Sequence, residues 1–126
     1  MVNIDKKILI VDDDKNFLWI LKQSVAGEGF SVISAQDGEE GLEMAMKEKP
    51  DLILLDILMP KMEGTEVAKK LKEAGADIPI IFLTNVKDSE RVSETMEISG
   101  GMADYILKAD IHVEDIINRI KQKLGV

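Results

Sequence analysis

Five side chains of this sequence could form one chemical site, although they lie far apart in the chain. They are three carboxylates, a hydroxyl and an ammonium: Asp12, Asp13, Asp56, Thr84 and Lys108. Each stands at or just past the carboxyl end of a short, strongly apolar run that is typical of a buried β-strand. In an open α/β sheet the carboxyl ends of the strands share one edge, and ligands bind there. The sequence therefore predicts that the five side chains converge on one pocket.

The apolar runs alternate with segments of helical periodicity along the 126 residues, which predicts βαβ units and a parallel sheet. Asp37 is the expected N-cap of the second helix, and Asp14 should cap the first helix or face solvent rather than bind a ligand. A fourth helix, starting near Asp88, has the poorest apolar stripe and should be held least firmly. The predicted strands lie at 7–11, 31–34, 51–55, 80–83 and 104–107, and the other helices at 15–26, 38–48, 65–73 and 113–124.

Composition narrows the classes of function. Acidic residues number 24 and basic residues 16, a net charge of -8 that repels nucleic-acid phosphates and anionic lipid. No apolar run reaches the length of about 20 residues that a membrane span needs, and the amino terminus does not resemble a signal peptide. The sequence has no cysteine, which excludes disulfides and thiolate metal ligands. We therefore expect one cytoplasmic domain over residues 1–126, with no output domain and no nucleic-acid or membrane partner.

The three aspartates predict a metal site. Asp12 and Asp13 end the first strand and Asp56 ends the third, so all three can face one cavity of a parallel sheet. Like charges raise one another's pKa unless a cation intervenes. Mg²⁺ suits a site of two or three carboxylates, a backbone carbonyl and several waters. Each aspartate taken singly could instead cap the helix that follows it.

A carboxylate beside Mg²⁺ and a lysine can accept a phosphoryl group, because this transfer needs positioning and charge neutralisation more than acid or base chemistry. Asp56 is the natural acceptor. Lys108 would pair with one phosphoryl oxygen, and the Thr84 hydroxyl would hydrogen-bond another. These residue types therefore predict a site that accepts a phosphoryl group.

Four motifs carry a family resemblance. They are ILIVDDD at 8–14, KPDLILLDILMPKMEG at 49–64, IIFLT at 80–84 and DYILK at 104–108. Each motif is weak alone, but the four in this order and at these spacings are highly specific. The chain resembles, over essentially its whole length, the receiver domain of a two-component response regulator, of the single-domain kind found in chemotaxis. The resemblance implies a flavodoxin-like (βα)5 fold, a doubly wound parallel sheet with strand order 2-1-3-4-5.

The resemblance also implies a role for each residue of the site. Asp56 would be the phosphorylation site, Lys108 the partner of the phosphoryl group, and Thr84 and Tyr105 the switch pair. A sensor histidine kinase or a histidine phosphotransfer protein would supply the phosphoryl group. The implied Mg²⁺ ligands are Asp13, Asp56, the main-chain carbonyl of Leu58 and, through water, Asp12.

Two positions depart from the family pattern. The residue after the switch threonine is usually small but is Asn85 here, and the residue after the lysine is usually proline but is Ala109. That proline often follows a cis peptide, which before alanine costs about 3 kcal/mol, so the loop should differ. The resemblance also places two variable side chains beside the path of the hydrolytic water, the second residue after the acceptor aspartate and the second after the switch threonine. In this chain they are Leu58 and Val86. Neither can hydrogen-bond that water, which predicts a long-lived aspartyl phosphate.

The leading hypothesis is a stand-alone receiver that changes its affinity for an unknown downstream protein when phosphorylated, through the face of its fourth helix, fifth strand and fifth helix. Such a protein promotes its own phosphorylation and dephosphorylation but is not otherwise an enzyme, and we expect a monomer or weak dimer. A phosphorylation-independent scaffold and a receiver fragment of a larger regulator stay open as alternatives. A small aspartyl-phosphate phosphatase of the haloacid dehalogenase type is disfavoured, because the chain is short and has no acidic pair at the end of the fourth strand.

Two side chains outside this site also carry expectations. Trp19 lies about 150° from the centre of the apolar stripe of the first helix and should be exposed. Solitary exposed apolar residues are normal, and the alternative is a docking or self-association surface supported by the neighbouring Leu18 and Ile20. His112, the only histidine, has no second nitrogen or thiolate ligand to join and should be a surface or capping residue. The predicted apolar stripe of the first helix is Phe17, Leu21 and Val25.

Overall fold

One parallel sheet organises the structure, a computed structural model that describes residues 3–84, 103–108 and 112–126. Its strand order is β2-β1-β3-β4-β5, which confirms the predicted flavodoxin-like order. Each strand lies within one residue of its predicted bounds. The strands are β1 (Lys7–Val11), β2 (Ser31–Ala35), β3 (Leu52–Asp56), β4 (Ile80–Thr84) and β5 (Ala103–Leu107).

Local capping chemistry sets where two of the helices begin. The Asp14 side chain accepts hydrogen bonds from the backbone N–H groups of Asn16 and Phe17, and the Asp37 side chain accepts one from Glu40. Both predicted caps are confirmed, whereas the predicted fourth helix lies outside the described residues. Within the described parts of the chain, no helix is long and apolar enough to cross a membrane. The helices are α1 (Lys15–Gly27), α2 (Gly38–Glu48), α3 (Gly64–Glu73) and the C-terminal helix (Val113–Leu124).

The sheet separates two hydrophobic cores, and β1 contributes to both because successive strand side chains point to opposite faces. Ile8 and Ile10 pack with apolar residues of α1 and the C-terminal helix. Leu9 and Val11 pack with apolar residues of α2 and α3 on the other face. Burial on both faces explains why the strands read as continuous apolar runs in the sequence.

Helix α1 buries a stripe that differs by one position from the predicted one. Leu18 is only 5% exposed and joins Leu21 and Val25 in the core, while Phe17 is partly buried at the edge of the stripe. Trp19 is 63% exposed, as predicted, and Ile20 is 44% exposed. Leu18 is therefore not part of the alternative docking surface around Trp19, because residues 18, 21 and 25 repeat at the spacing of one helix face, and that face meets the sheet.

Candidate functional site

The carboxyl edge of the sheet brings together residues that are distant in sequence. Asp12 directly follows β1, Asp56 is the last residue of β3, and Lys108 directly follows β5. Since β1 and β3 are neighbours, Asp12 and Asp56 end adjacent strands. One carboxylate oxygen from each of Asp12, Asp13 and Asp56 lies within 4.8 Å of the other two. The three carboxylates form one acidic cluster.

The ammonium of Lys108 contacts this cluster from β5, at the edge of the sheet. Its Nζ donates a hydrogen bond to Asp12 Oδ2 at 2.9 Å and lies 3.7 Å from Asp56 Oδ2. The same Nζ lies 4.7 Å from the centroid of the Phe17 ring. Asp12 is 0% and Asp56 5% exposed, so little water screens these charges and their interactions are strong.

One ammonium does not balance the negative charge of the cluster. Burial raises the pKa of Asp56 from 3.8 to about 7, with the charge of Asp12 adding to the rise and Lys108 opposing it. Burial also raises the pKa of Asp12, against the hydrogen bonds from the Asp14 N–H and from Lys108. For Lys108, burial lowers the pKa, but the hydrogen bond to Asp12 and the charge of Asp56 outweigh it, so the pKa is raised. Lys108 therefore stays charged, while the ionised form of Asp56 is disfavoured.

The acidic cluster fits a hard divalent cation. Carboxylate oxygens, backbone carbonyls and water are the ligands that Mg²⁺ prefers, and all three groups of the cluster are carboxylates. Asp12 and Asp56 are buried but Asp13 is exposed, so the cluster is accessible from solvent at Asp13. A cation would also oppose the raised pKa values of Asp56 and Asp12, since its positive charge stabilises the ionised carboxylates against burial. The residues present are therefore suited to Mg²⁺.

A tight turn after β3 fixes the backbone around Asp56. The Ile57 N–H donates to the carbonyl of Leu83, and the Gly64 N–H donates to the carbonyl of Ile57 at 2.8 Å. A Cβ at position 64 would lie 2.3 Å from the Asp56 carbonyl oxygen, so only glycine permits this approach. The backbone on the carboxyl side of Asp56 is thus held by β4 and by the start of α3.

The two residues of the expected switch pair lie on adjacent strands. Thr84 is fully buried at the carboxyl end of β4, where it pairs in register with Leu107 of β5. Tyr105 lies on β5 and is 41% exposed, and its main-chain carbonyl accepts a hydrogen bond from Arg119 at 3.2 Å. The structure therefore places one member of the pair inside the protein and the other at its surface.

The remaining residues of interest lie around the site or outside the described residues. Leu58 is 40% exposed, two residues after Asp56. His112 is exposed and occupies the N-cap position of the C-terminal helix without a side-chain capping hydrogen bond, which confirms its predicted surface or capping place. Three positions that sequence reasoning singled out lie outside the described residues: Asn85, Val86 and Ala109.

Sequence reasoning missed two residues that shape this site. Phe17 was assigned only to the apolar stripe of α1, and Gly64 only to the end of a motif. An aromatic residue three positions after the N-cap Asp14 was the available signal for Phe17. A glycine at the first position of a helix, where other residues form better helices, was the signal for Gly64.

Comparison with known proteins defines the class to which this chain belongs. The sequence profile of the response regulator receiver domain matches residues 8–121, so the chain belongs to the response regulator receiver domain family. It is 42% identical over 105 residues to the alkaline phosphatase synthesis transcriptional regulatory protein PhoP of Bacillus subtilis, covering 83% of this chain and 43% of that protein. It is 40% identical over 119 residues to the response regulator MprA of Mycobacterium leprae, covering 94% of this chain and 50% of that protein. The chain spans about half the length of these curated relatives.

Solved structures of the same family share the fold. A CheY-like response regulator receiver domain protein from Methanospirillum hungatei superimposes with a TM-score of 0.86 at 36% identity, covering 95% of this chain and 94% of that one. The receiver domain of the Francisella response regulator 1452 gives a TM-score of 0.86 at 26% identity, covering 96% of this chain and 98% of that one. The five-stranded arrangement described above is therefore that of a CheY-like receiver domain.

Proposed function

We propose that this chain accepts a phosphoryl group on Asp56 from the phosphohistidine of a sensor histidine kinase or a histidine phosphotransfer protein, in a reaction that requires Mg²⁺. One observation carries the proposal: the Asp56 carboxylate lies 3.7 Å from the Lys108 ammonium and shares an acidic cluster with Asp12 and Asp13. A nucleophilic oxygen, a cation site and a fixed ammonium are thus side by side. Phosphoryl transfer depends on this kind of positioning and charge stabilisation.

In the proposed reaction an Asp56 oxygen attacks phosphorus, and the new P–O bond forms as the P–N bond to the donor histidine breaks. The histidine nitrogen leaves with the electron pair of that bond. Lys108 would pair with a phosphoryl oxygen, and it already opposes the rise in the pKa of Asp56, which favours the ionised nucleophile. Asp13, Asp56, the main-chain carbonyl of Leu58 and, through water, Asp12 would hold Mg²⁺, which would supply positive charge beside the phosphoryl oxygens.

The signalling step of the proposal uses Thr84 and Tyr105. The Thr84 hydroxyl would move toward the phosphoryl group, and Tyr105 would turn inward and change the surface that β5 and the C-terminal helix present to a partner protein. The adjacent strands of the two residues and the 41% exposure of Tyr105 support this step. Stand-alone action on a separate partner stays a prediction, and the reaction at Asp56 is the same for the receiver part of a longer regulator.

Incubation with acetyl phosphate and Mg²⁺, followed by intact mass measurement, tests the proposal. The parent should gain the mass of one phosphoryl group, and Asp56→Asn should gain none. Asp51→Asn is a matched control, because Asp51 directly precedes β3 at the opposite edge of the sheet, where its side chain accepts the Lys7 N–H. A parent that stays unmodified, or a modification that survives in Asp56→Asn, would refute the proposal and favour a phosphorylation-independent scaffold.

A further inference from the structure

The aromatic ring of Phe17 contacts the site and has no part in the chemistry described above. Its centroid lies 4.7 Å from Lys108 Nζ, a cation–π distance. The same Nζ lies 2.9 Å from Asp12 Oδ2 and 3.7 Å from Asp56 Oδ2. Within the described residues, the ammonium therefore contacts two carboxylates and one aromatic ring.

The start of α1 fixes the place of this ring. The Phe17 N–H donates to Asp14 Oδ1 at 3.2 Å, and the Asp14 N–H donates to Asp12 Oδ1 at 2.9 Å. These two hydrogen bonds in one turn of backbone therefore fix the positions of Asp12 and Phe17 relative to each other. Asp12 in turn accepts the hydrogen bond from Lys108. The Phe17 side chain also packs against the core cluster that contains Leu21, so packing and capping both hold the ring.

A π face suits an ammonium that has lost most of its water. The Lys108 side chain is only 16% exposed, and cation–π contacts strengthen with desolvation. The ring also differs in kind from the two carboxylates. Asp12 and Asp56 are proposed to bind a cation or a phosphoryl group, so their charge toward Lys108 changes during the reaction. The ring carries no net charge, and its π face attracts the ammonium whether or not the carboxylates bind a cation or a phosphoryl group.

We propose that Phe17 is a positioning residue for phosphoryl transfer, because its ring holds the Lys108 ammonium beside the Asp56 carboxylate through a cation–π contact. This inference rests on the proposed function, since the place of Lys108 matters to the rate only when Asp56 accepts a phosphoryl group. Phe17 acts through Lys108 rather than on the reacting atoms. If the ring only filled apolar space, leucine would serve equally well at position 17.

Three substitutions separate these roles. Phe17→Leu removes the π face but keeps most of the apolar bulk, and Phe17→Trp keeps a π face. Phe30→Leu is the matched control, because Phe30 belongs to the same core cluster but directly precedes β2, at the opposite edge of the sheet. The rate constant of phosphorylation by acetyl phosphate at saturating Mg²⁺ should fall about 3- to 10-fold in Phe17→Leu. It should stay near the parent value in Phe17→Trp and Phe30→Leu, and the half-saturating Mg²⁺ concentration should not change.

Fluorinated phenylalanines at position 17 test the electrostatic cause at nearly constant shape. The 4-fluoro, 3,5-difluoro and pentafluoro rings weaken the negative π face in steps, so the rate constant should fall in the same order. A second measurement needs no phosphorylation. The ring current of Phe17 should shift the proton resonances of the Lys108 ε-methylene in the parent and in Phe30→Leu but not in Phe17→Leu.

The possible outcomes separate this inference from the proposed function. Equal rate constants in the parent, Phe17→Leu and the fluorinated series would overturn the inference and leave the proposed function intact. An equal loss of rate in Phe17→Leu and Phe30→Leu would assign the effect to core packing and would also overturn it. A parent that takes up no phosphoryl group would overturn the proposed function and this inference with it.

Discussion

Replacing the buried carboxyl of Asp56 by an amide should stabilise the protein when no divalent cation is present. Burial raises the pKa of Asp56 from 3.8 to about 7, a difference of about 3 units. Each unit corresponds to about 1.4 kcal/mol, so the ionised carboxylate should lower the free energy of unfolding by up to about 4 kcal/mol. Asparagine cannot ionise and avoids this cost. The figure is an upper bound, because the surroundings relax around the charge.

The effect should depend on pH in a defined direction. A carboxyl whose pKa is higher in the folded than in the unfolded state holds its proton more firmly when folded, so its contribution to stability is lost as pH rises. The advantage of Asp56→Asn over the parent should therefore be only about 1 kcal/mol at pH 4.5. It should grow between pH 4 and 7 and level off above the folded pKa of about 7.

Urea unfolding of the parent and Asp56→Asn in EDTA at pH 4.5 and pH 8 measures both quantities. Asp77→Asn is the control, because Asp77 is exposed and the substitution should leave stability nearly unchanged at both pH values. Mg²⁺ at 100 times its Kd should stabilise the parent by about 2.7 kcal/mol and the variant by less, since asparagine is the poorer ligand. Equal stability of parent and Asp56→Asn at pH 8 in EDTA would show that the site carries no electrostatic strain, and the reasoning would be wrong.

Two further predictions follow from the geometry of the site, and a third follows from the family resemblance. Lys108→Ala should still take up a phosphoryl group but lose the amide chemical-shift changes that phosphorylation causes in β5, because the ammonium links the phosphoryl oxygen to that strand. If phosphorylation caused the same shift changes in Lys108→Ala as in the parent, another group would have to make this link. Gly64→Ala should lower the free energy of unfolding by about 2 to 4 kcal/mol and slow phosphorylation, since the new Cβ would lie 2.3 Å from the main-chain carbonyl oxygen of Asp56. Gly27→Ala, where a Cβ meets nothing within 4 Å, should change stability by less than about 1 kcal/mol, and equal losses in the two variants would contradict this account. The aspartyl phosphate should decay slowly because Leu58 and Val86 cannot hydrogen-bond a water, and a parent that decays as fast as the Leu58→Asn, Val86→Glu double variant would rule that out.

Local chemistry in the sequence was enough to predict the strands and helices that the structure describes and their order along the chain, whereas the order of the strands in the sheet was implied by the family resemblance. The run at Leu52–Asp56 is apolar throughout because both faces of β3 are covered, and such a run is typical of a buried parallel strand. Asp14 and Asp37 could be read as caps because capping involves residues only two or three positions apart. The same apolar runs predicted that Asp12, Asp56 and Lys108 lie at the ends of strands. These features depend on neighbours in the chain, which a sequence displays directly.

Only the tertiary structure decided the distances and the packing. Lys108 donates to Asp12 across 96 positions of the chain, and no local pattern states that this bond is 2.9 Å long or that the ring of Phe17 lies beside it. Periodicity located an apolar side of α1 but could not decide between Leu18 and Phe17, because the apolar stripe of a helix is broad enough to include either. Packing against the sheet buries Leu18 and leaves Phe17 only partly buried. The raised pKa of Asp56 likewise arises from burial by several elements at once. Sequence determined which groups could meet, and the packing of the sheet against its helices determined how closely and in what dielectric they do so.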